Sequence, residues 1–133
     1  MLRKVNLICV GNLKKSYLRC LEEKYISNIN LINIKESNKN DESEEILKVL
    51  NKYSNGFYVL FDLQGKESNR FMEEIKYNYK LNKDMIFIIG GSNGVSLKLK
   101  KSCNLVLKLS DLTYSHQIFR ISSILFIREI LFI

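Results

Sequence analysis

Three glycines in five residues, Gly90-Gly91-Ser92-Asn93-Gly94, close the apolar run Met85-Ile86-Phe87-Ile88-Ile89. Glycine admits positive φ and leaves open the space that a Cβ would fill, so this spacing at a strand's end suits a ligand pressed against main chain. In open α/β sheets ligands bind at the carboxyl ends of the strands. A tight strand-to-helix connection would draw on the same residues. The next apolar run leads into a second unusual segment, Leu109-Ser110-Asp111-Leu112-Thr113-Tyr114-Ser115-His116, which carries the only histidine of the chain. An imidazole can take up a proton near neutral pH, and it can equally serve as a hydrogen-bonding residue at a helix start. Arg120 follows His116 by four residues, so both project from one face of a helix. A guanidinium beside so apolar a helix is expected to be paired or to face an anion such as phosphate. Asp62, at the end of an earlier strand, reads either as a general base or as a loop carboxylate.

Familiar motifs do not account for these segments. Gly65-Lys66-Glu67-Ser68 has Leu60 where a phosphate loop needs its first glycine, and Glu67 where it needs Ser or Thr. The glycine turn departs from GxGxxG and lies in a fourth βα unit without an acidic ribose ligand downstream, which argues against a dinucleotide site. Neither GxSxG nor HExxH occurs, so hydrolysis has no support. With one histidine, zinc has too few ligands and no metal is expected. Cys9, Cys20 and Cys103 are odd in number and far apart, which fits reduced thiols in a cytoplasmic protein.

Periodicity places these residues on alternating strands and helices. Strands are expected at Val5 to Val10, Ile29 to Ile34, Phe57 to Leu63 (ended by Gln64-Gly65), Met85 to Ile89 and Asn104 to Leu109. Between them, Leu13, Tyr17, Leu21 and Tyr25 recur at i+4 as the buried face of a first helix, with Lys14, Lys15 and Arg19 turned to other sides. Asp41 with Glu44 resembles a capping box ahead of Ile46, Leu47, Leu50 and Tyr53. Phe71, Met72, Ile75 and Tyr79 form the stripe of a third helix. Val95 to Lys101 reads as a short fourth, and Gln117 onward as the last. Such alternation implies an α/β fold with a mostly parallel sheet, helices on both faces and right-handed crossovers. No linker or repeat divides residues 1–133, so a single domain is expected.

The last helix is apolar around almost its whole circumference, from Ile118 to Ile133, which implies burial on more than one side and favours a homodimer through it. A membrane anchor is the competing reading, but the run is broken by Arg128-Glu129 and falls short of the ~20 residues a span needs. Met1-Leu-Arg-Lys leads into a strand without a cleavage site, so no secretory signal is expected. A net charge of +7 favours polyanionic partners, RNA and ribosomes among them, over acidic surfaces.

Four segments in order carry a resemblance over nearly the whole chain: Val10-Gly11-Asn12-Leu13-Lys14, Leu63-Gln64-Gly65-Lys66, Phe87 to Gly94, and Leu109 to Gln117 with Arg120. Together they resemble the SPOUT-class, trefoil-knotted RNA methyltransferases, and within them the RlmH (YbeA-type) family, which methylates a pseudouridine of large-subunit rRNA. The resemblance implies a C-terminal trefoil knot, an exception to unknotted topology. It implies an S-adenosylmethionine site at Phe61, at Gly90, Gly91 and Gly94 of the glycine turn, and at Leu109, Ser110, Asp111, Leu112, Thr113 and Tyr114. Phe61, Leu109, Leu112 and Tyr114 would wall the adenine, and backbone groups would satisfy its polar edge. It also implies methyl transfer to N3 of the pseudouridine, with His116 accepting or relaying the proton and Arg120 stabilising the anion or holding a phosphate. Ser115 stands where most members carry Pro, which would loosen the helix start. The chain ends at Ile133 without the family's Tyr-His tail, so a degenerate RNA- or ribosome-binding protein is the alternative. A nucleotide binder without an RNA partner fits the sheet but not the charge.

Overall fold

A strand covered on both faces must be apolar at every position rather than at alternate ones, and Val5–Val10 (β1) is buried at all six of its residues. Asp84–Ile89 (β4) is buried from Met85 onward. In the computed structural model, which describes residues 4–67, 71–109 and 115–133, these two strands lie side by side within a five-stranded sheet of order β2-β1-β4-β3-β5. The others are Asn30–Ile34 (β2), Gly56–Glu67 (β3) and Leu105–Lys108 (β5), and every pairing is parallel. Between and after them come Ser16–Tyr25 (α1), Lys39–Leu50 (α2), Met72–Lys80 (α3), Leu97–Ser102 (α4) and His116–Leu131 (α5). The expected α/β architecture is thus present.

Side chains leave each strand alternately up and down, and this sorts the core into two layers. Leu7, Cys9, Val59, Phe87 and Ile89 face α3 and α5, meeting Ile75, Ile124, Ile127 and Ile130. Ile8, Val10, Leu60, Ile86 and Ile88 face α2 and α4, meeting Ile46, Leu50 and Leu99. Each of the Val, Leu, Ile and Phe side chains among them contributes roughly 1.5–3 kcal/mol by leaving water. Among the described residues no helix is long and apolar enough to cross a membrane.

Three local expectations are corrected. Tyr17 and Leu21 are 61% and 38% exposed, whereas Leu18 is buried, so the i+4 series does not mark the inner face of α1. The helix begins only at Ser16, and Leu13 belongs to the preceding loop. That loop is drawn toward α5: the Lys14 N–H donates to Gln117 Oε1 (2.8 Å), and Arg19 Nη1 donates to the carbonyls of Leu13 (3.1 Å) and Lys14 (2.9 Å). Leu13 and Leu18 consequently close on Ile121. The cap of α2 is Asn38, whose Oδ1 accepts the Asp41 N–H at 2.8 Å. Asn caps at least as well as Asp, and starting earlier lengthens the helix. The strand β3 does not stop at Gln64-Gly65 but runs to Glu67, with a register shift against β5 between Phe61 and Lys66. Gly65 permits this, because a Cβ there would stand 2.6 Å from the Val106 carbonyl oxygen.

Burial of polarisable groups predicts an alkaline limit to stability. Desolvation pushes the Cys9 thiol up to about 12 against its ordinary 9.0; the nearby Arg120 charge offsets part of this and Glu22 adds to it. Burial pushes Cys103 up to about 12 as well, and raises Tyr53 and Tyr58. Above pH 9 the unfolded chain sheds thiol protons that the fold retains, so the stabilisation is complete below 9 and is lost progressively toward 12. Melting temperatures are expected to fall across that window, and less steeply for Cys9→Ala; identical slopes for the two proteins would contradict the assignment.

Candidate active site

The carboxyl ends of β3 and β4 open into a cleft of about 330 Å³, at the small end of the ~300–1,000 Å³ range of ligand pockets. Its floor is the glycine turn: Gly90, Gly91, Ser92 and Gly94 all line it, with Ile89 and Val95 at either end. The three glycines answer different demands. Gly94 has φ +80°, and its N–H donates to the Gly91 carbonyl at 3.0 Å, closing the turn. Gly90 and Gly91 leave space that neighbouring side chains fill, since a Cβ on the first would stand 2.5 Å from Val95 Cγ1 and one on the second 2.7 Å from Glu42 Oε1. Ser43 Oγ of α2 accepts the Ser96 N–H at 2.9 Å, and Asn93 Nδ2 donates to the Ser37 carbonyl at 3.4 Å, so the turn is braced from behind.

The other wall comes from β3 and α5: Leu60, Phe61, Asp62, His116 and Phe119. Phe61 lines the cleft while remaining part of the core. It is 4% exposed, its ring stacked on Phe87 (centroids 5.9 Å apart) and met edge-on by Phe119 and Phe126. The ring thus lines the cleft, as expected, from within the core that fixes the cleft's position. Asp62 is neither an isolated base nor a loop carboxylate. It lies within β3, with Oδ2 paired to Lys100 Nζ at 3.0 Å.

His116 is the first residue of α5, and it does open onto the cleft. The capping function belongs to its neighbour: Ser115 Oγ accepts the Ile118 N–H at 3.2 Å. Ser115 therefore secures the helix start instead of loosening it, and leaves the imidazole available.

Arg120 takes the other course open to a guanidinium by an apolar helix. It is 3% exposed, and it does not line the cleft. Nε donates to Glu22 Oε2 at 2.6 Å and Nη2 to Glu22 Oε1 at 3.2 Å, a two-point pair between α5 and α1. Nη2 also donates to Asn33 Oδ1 (3.0 Å), and Nη1 to the Gly11 carbonyl (2.9 Å). Of the two courses expected for it, pairing is the one seen among the described residues: the guanidinium bonds Glu22, Asn33 and Gly11, and so ties α5 to the ends of β1 and β2. Four residues of separation put Arg120 on the same flank as His116, but length carries its guanidinium away to the α1 side.

Leu109 does not line the cleft; it packs against the layer under α5. Ser110, Asp111, Leu112, Thr113 and Tyr114 lie outside the described residues. Leu60, Ile89, Val95 and Phe119 were missed by sequence reasoning. Phe119 could have been found from its i+3 spacing to His116, and Val95 from its place directly after Gly94.

A parallel sheet whose carboxyl edge offers glycine backbone, apolar walls and an imidazole has the arrangement of an α/β ligand site. The particular class is set by comparison with known proteins. Residues 3–126 match the family described as predicted SPOUT methyltransferase, and the chain belongs to that family. It is 38% identical to ribosomal RNA large subunit methyltransferase H of Fusobacterium nucleatum, over 88% of this chain and 86% of that protein. The enzymes of the same name from Malacoplasma penetrans and Caldicellulosiruptor saccharolyticus are 35% and 33% identical, over 89% and 88% of this chain and 87% and 86% of theirs.

Proposed function

We propose that this protein transfers the methyl group of S-adenosylmethionine to N3 of a pseudouridine in large-subunit rRNA. The observation that carries the reading is the cleft itself, in which glycine backbone, apolar side chains and His116 converge in a chain of the SPOUT methyltransferase family. Val95 and Phe119, both half-buried, with Phe61 beside them suit an adenine face, and the turn at Gly90, Gly91 and Gly94 lets main-chain groups approach its polar edge. When bound, the cofactor supplies an electrophilic methyl group. The chain holds the two reactants in line and removes the N3 proton, which His116 accepts as the nitrogen turns nucleophilic. Phe119, one turn along α5 from His116, lines the cleft with it. The relatives named as methyltransferases do not favour a degenerate binding module.

The positive net charge supports rRNA as the partner and suits a cytoplasmic protein that works on ribosomes. A homodimer completes the proposal. α1 and α5 pack on each other through Leu18 and Ile121, and each leaves apolar side chains exposed, Tyr17 and Leu21 on one, Ile118 and Leu125 on the other. Sedimentation equilibrium showing only the 15.6 kDa species would refute the dimer. The reaction is tested by calorimetry with S-adenosylmethionine, followed by transfer of labelled methyl to ribosomes from a strain lacking the modification. Binding and labelling are expected; binding without labelling would favour a degenerate RNA-binding protein, and no binding would sink the enzyme reading.

A further inference from the structure

Behind the glycine turn lies a carboxylate that the fold uses only by half. Glu42, in the first turn of α2, is 1% exposed. Its Oε2 accepts the Ser37 N–H at 2.7 Å, while Oε1 is buried and has no hydrogen-bond partner among the described residues. That oxygen faces Gly91, where a Cβ would stand 2.7 Å from it and 3.1 Å from Val10 Cγ1. An acceptor shut away from water without a donor costs free energy that an apolar side chain would avoid. Gly91 gives up its side chain at the same point. Two residues therefore keep one oxygen pressed against the turn that floors the cleft.

We propose that Glu42 is a positioning residue of the methyl-donor site: its Oε1 takes a backbone N–H of the turn between Gly90 and Gly94 when S-adenosylmethionine fills the cleft. The inference rests on the reading of the cleft given above. A bond made only in the bound state adds to ligand affinity and nothing to the stability of the free protein. Glu42 thereby converts closure of the turn into affinity, without touching the ligand.

Glu42→Gln tests this, because its amide can keep the Ser37 bond through oxygen while setting a donor where the turn needs an acceptor. Calorimetry is expected to show S-adenosylmethionine binding weakened at least tenfold, with the melting temperature of the free variant unchanged or raised. In turnover the loss should appear in KM for the cofactor and not in kcat. Glu42→Asp, a shorter acceptor, should recover part of the affinity. Wild-type affinity in Glu42→Gln overturns the inference, as does a loss of affinity matched by a fall in the free protein's melting temperature. A wild-type protein that binds no S-adenosylmethionine overturns both the inference and the reading beneath it.

Discussion

Arg120→Ala is expected to cost about 3–5 kcal/mol of folding stability, the usual penalty for removing one partner of a buried ion pair. Glu22 would be left largely out of water, its side chain only 13% exposed, with its strongest hydrogen bonds gone. The Gly11 carbonyl and Asn33 Oδ1 would lose their donors as well. In thermal unfolding the loss should lower the midpoint by roughly 10–20 °C for a chain of this size. Arg120→Lys should recover little, since one ammonium cannot serve Glu22, Asn33 and Gly11 with the planar fork that meets all three. Methyl transfer would fall too, but as a consequence of lost positioning, because α5 carries His116 into the cleft. Arg120→Ala with wild-type stability and no turnover would instead return the guanidinium to direct contact with the substrate.

His116→Gln is expected to do the opposite, leaving the fold intact and removing the chemistry. Loss of a positioned general base lowers turnover by roughly 10²–10⁴-fold, and Gln can form hydrogen bonds but cannot take the N3 proton. Stability should move by no more than about 0.5 kcal/mol, since Ser115 caps α5 and His116 is only partly buried. S-adenosylmethionine affinity should stay near that of the wild type, because the turn and the apolar walls are untouched. Single-turnover methylation at saturating cofactor separates these effects, and a wild-type rate in His116→Gln would remove the imidazole from the mechanism.

These two residues illustrate how far a linear reading reaches. Spacing correctly placed His116 and Arg120 at the start of one apolar helix after the fifth strand, as α5 shows. It could not say where so long a side chain ends. Arg120 turns toward Glu22, ninety-eight positions earlier in the chain, because α1 packs against α5. Likewise the periodic set Leu13, Tyr17, Leu21 and Tyr25 is real as a pattern. It fails as a guide to burial because the helix starts only at Ser16, after a loop that Gln117 and Arg19 hold toward α5. The carboxylate of Glu42 showed no local signal at all; it reads as one more acid in a charged stretch, and only the packing of α2 on the glycine turn gives it meaning.

Sequence by itself determined the strand and helix alternation, the buried character of β1 and β4, and the place of the glycine turn at a strand's carboxyl end. These follow from local rules of hydrophobic period and backbone freedom, which act over a few residues. Tertiary structure decided how side chains meet the cleft: Phe61 lining it with its ring stacked on Phe87, Asp62 paired with Lys100, His116 admitted and Arg120 turned to Glu22. Those outcomes depend on the parallel sheet order, which puts β4 between β1 and β3 and so brings residues far apart in the chain around one turn. Contacts of that range are set by how helices pack over the sheet, and no window of neighbouring residues contains them.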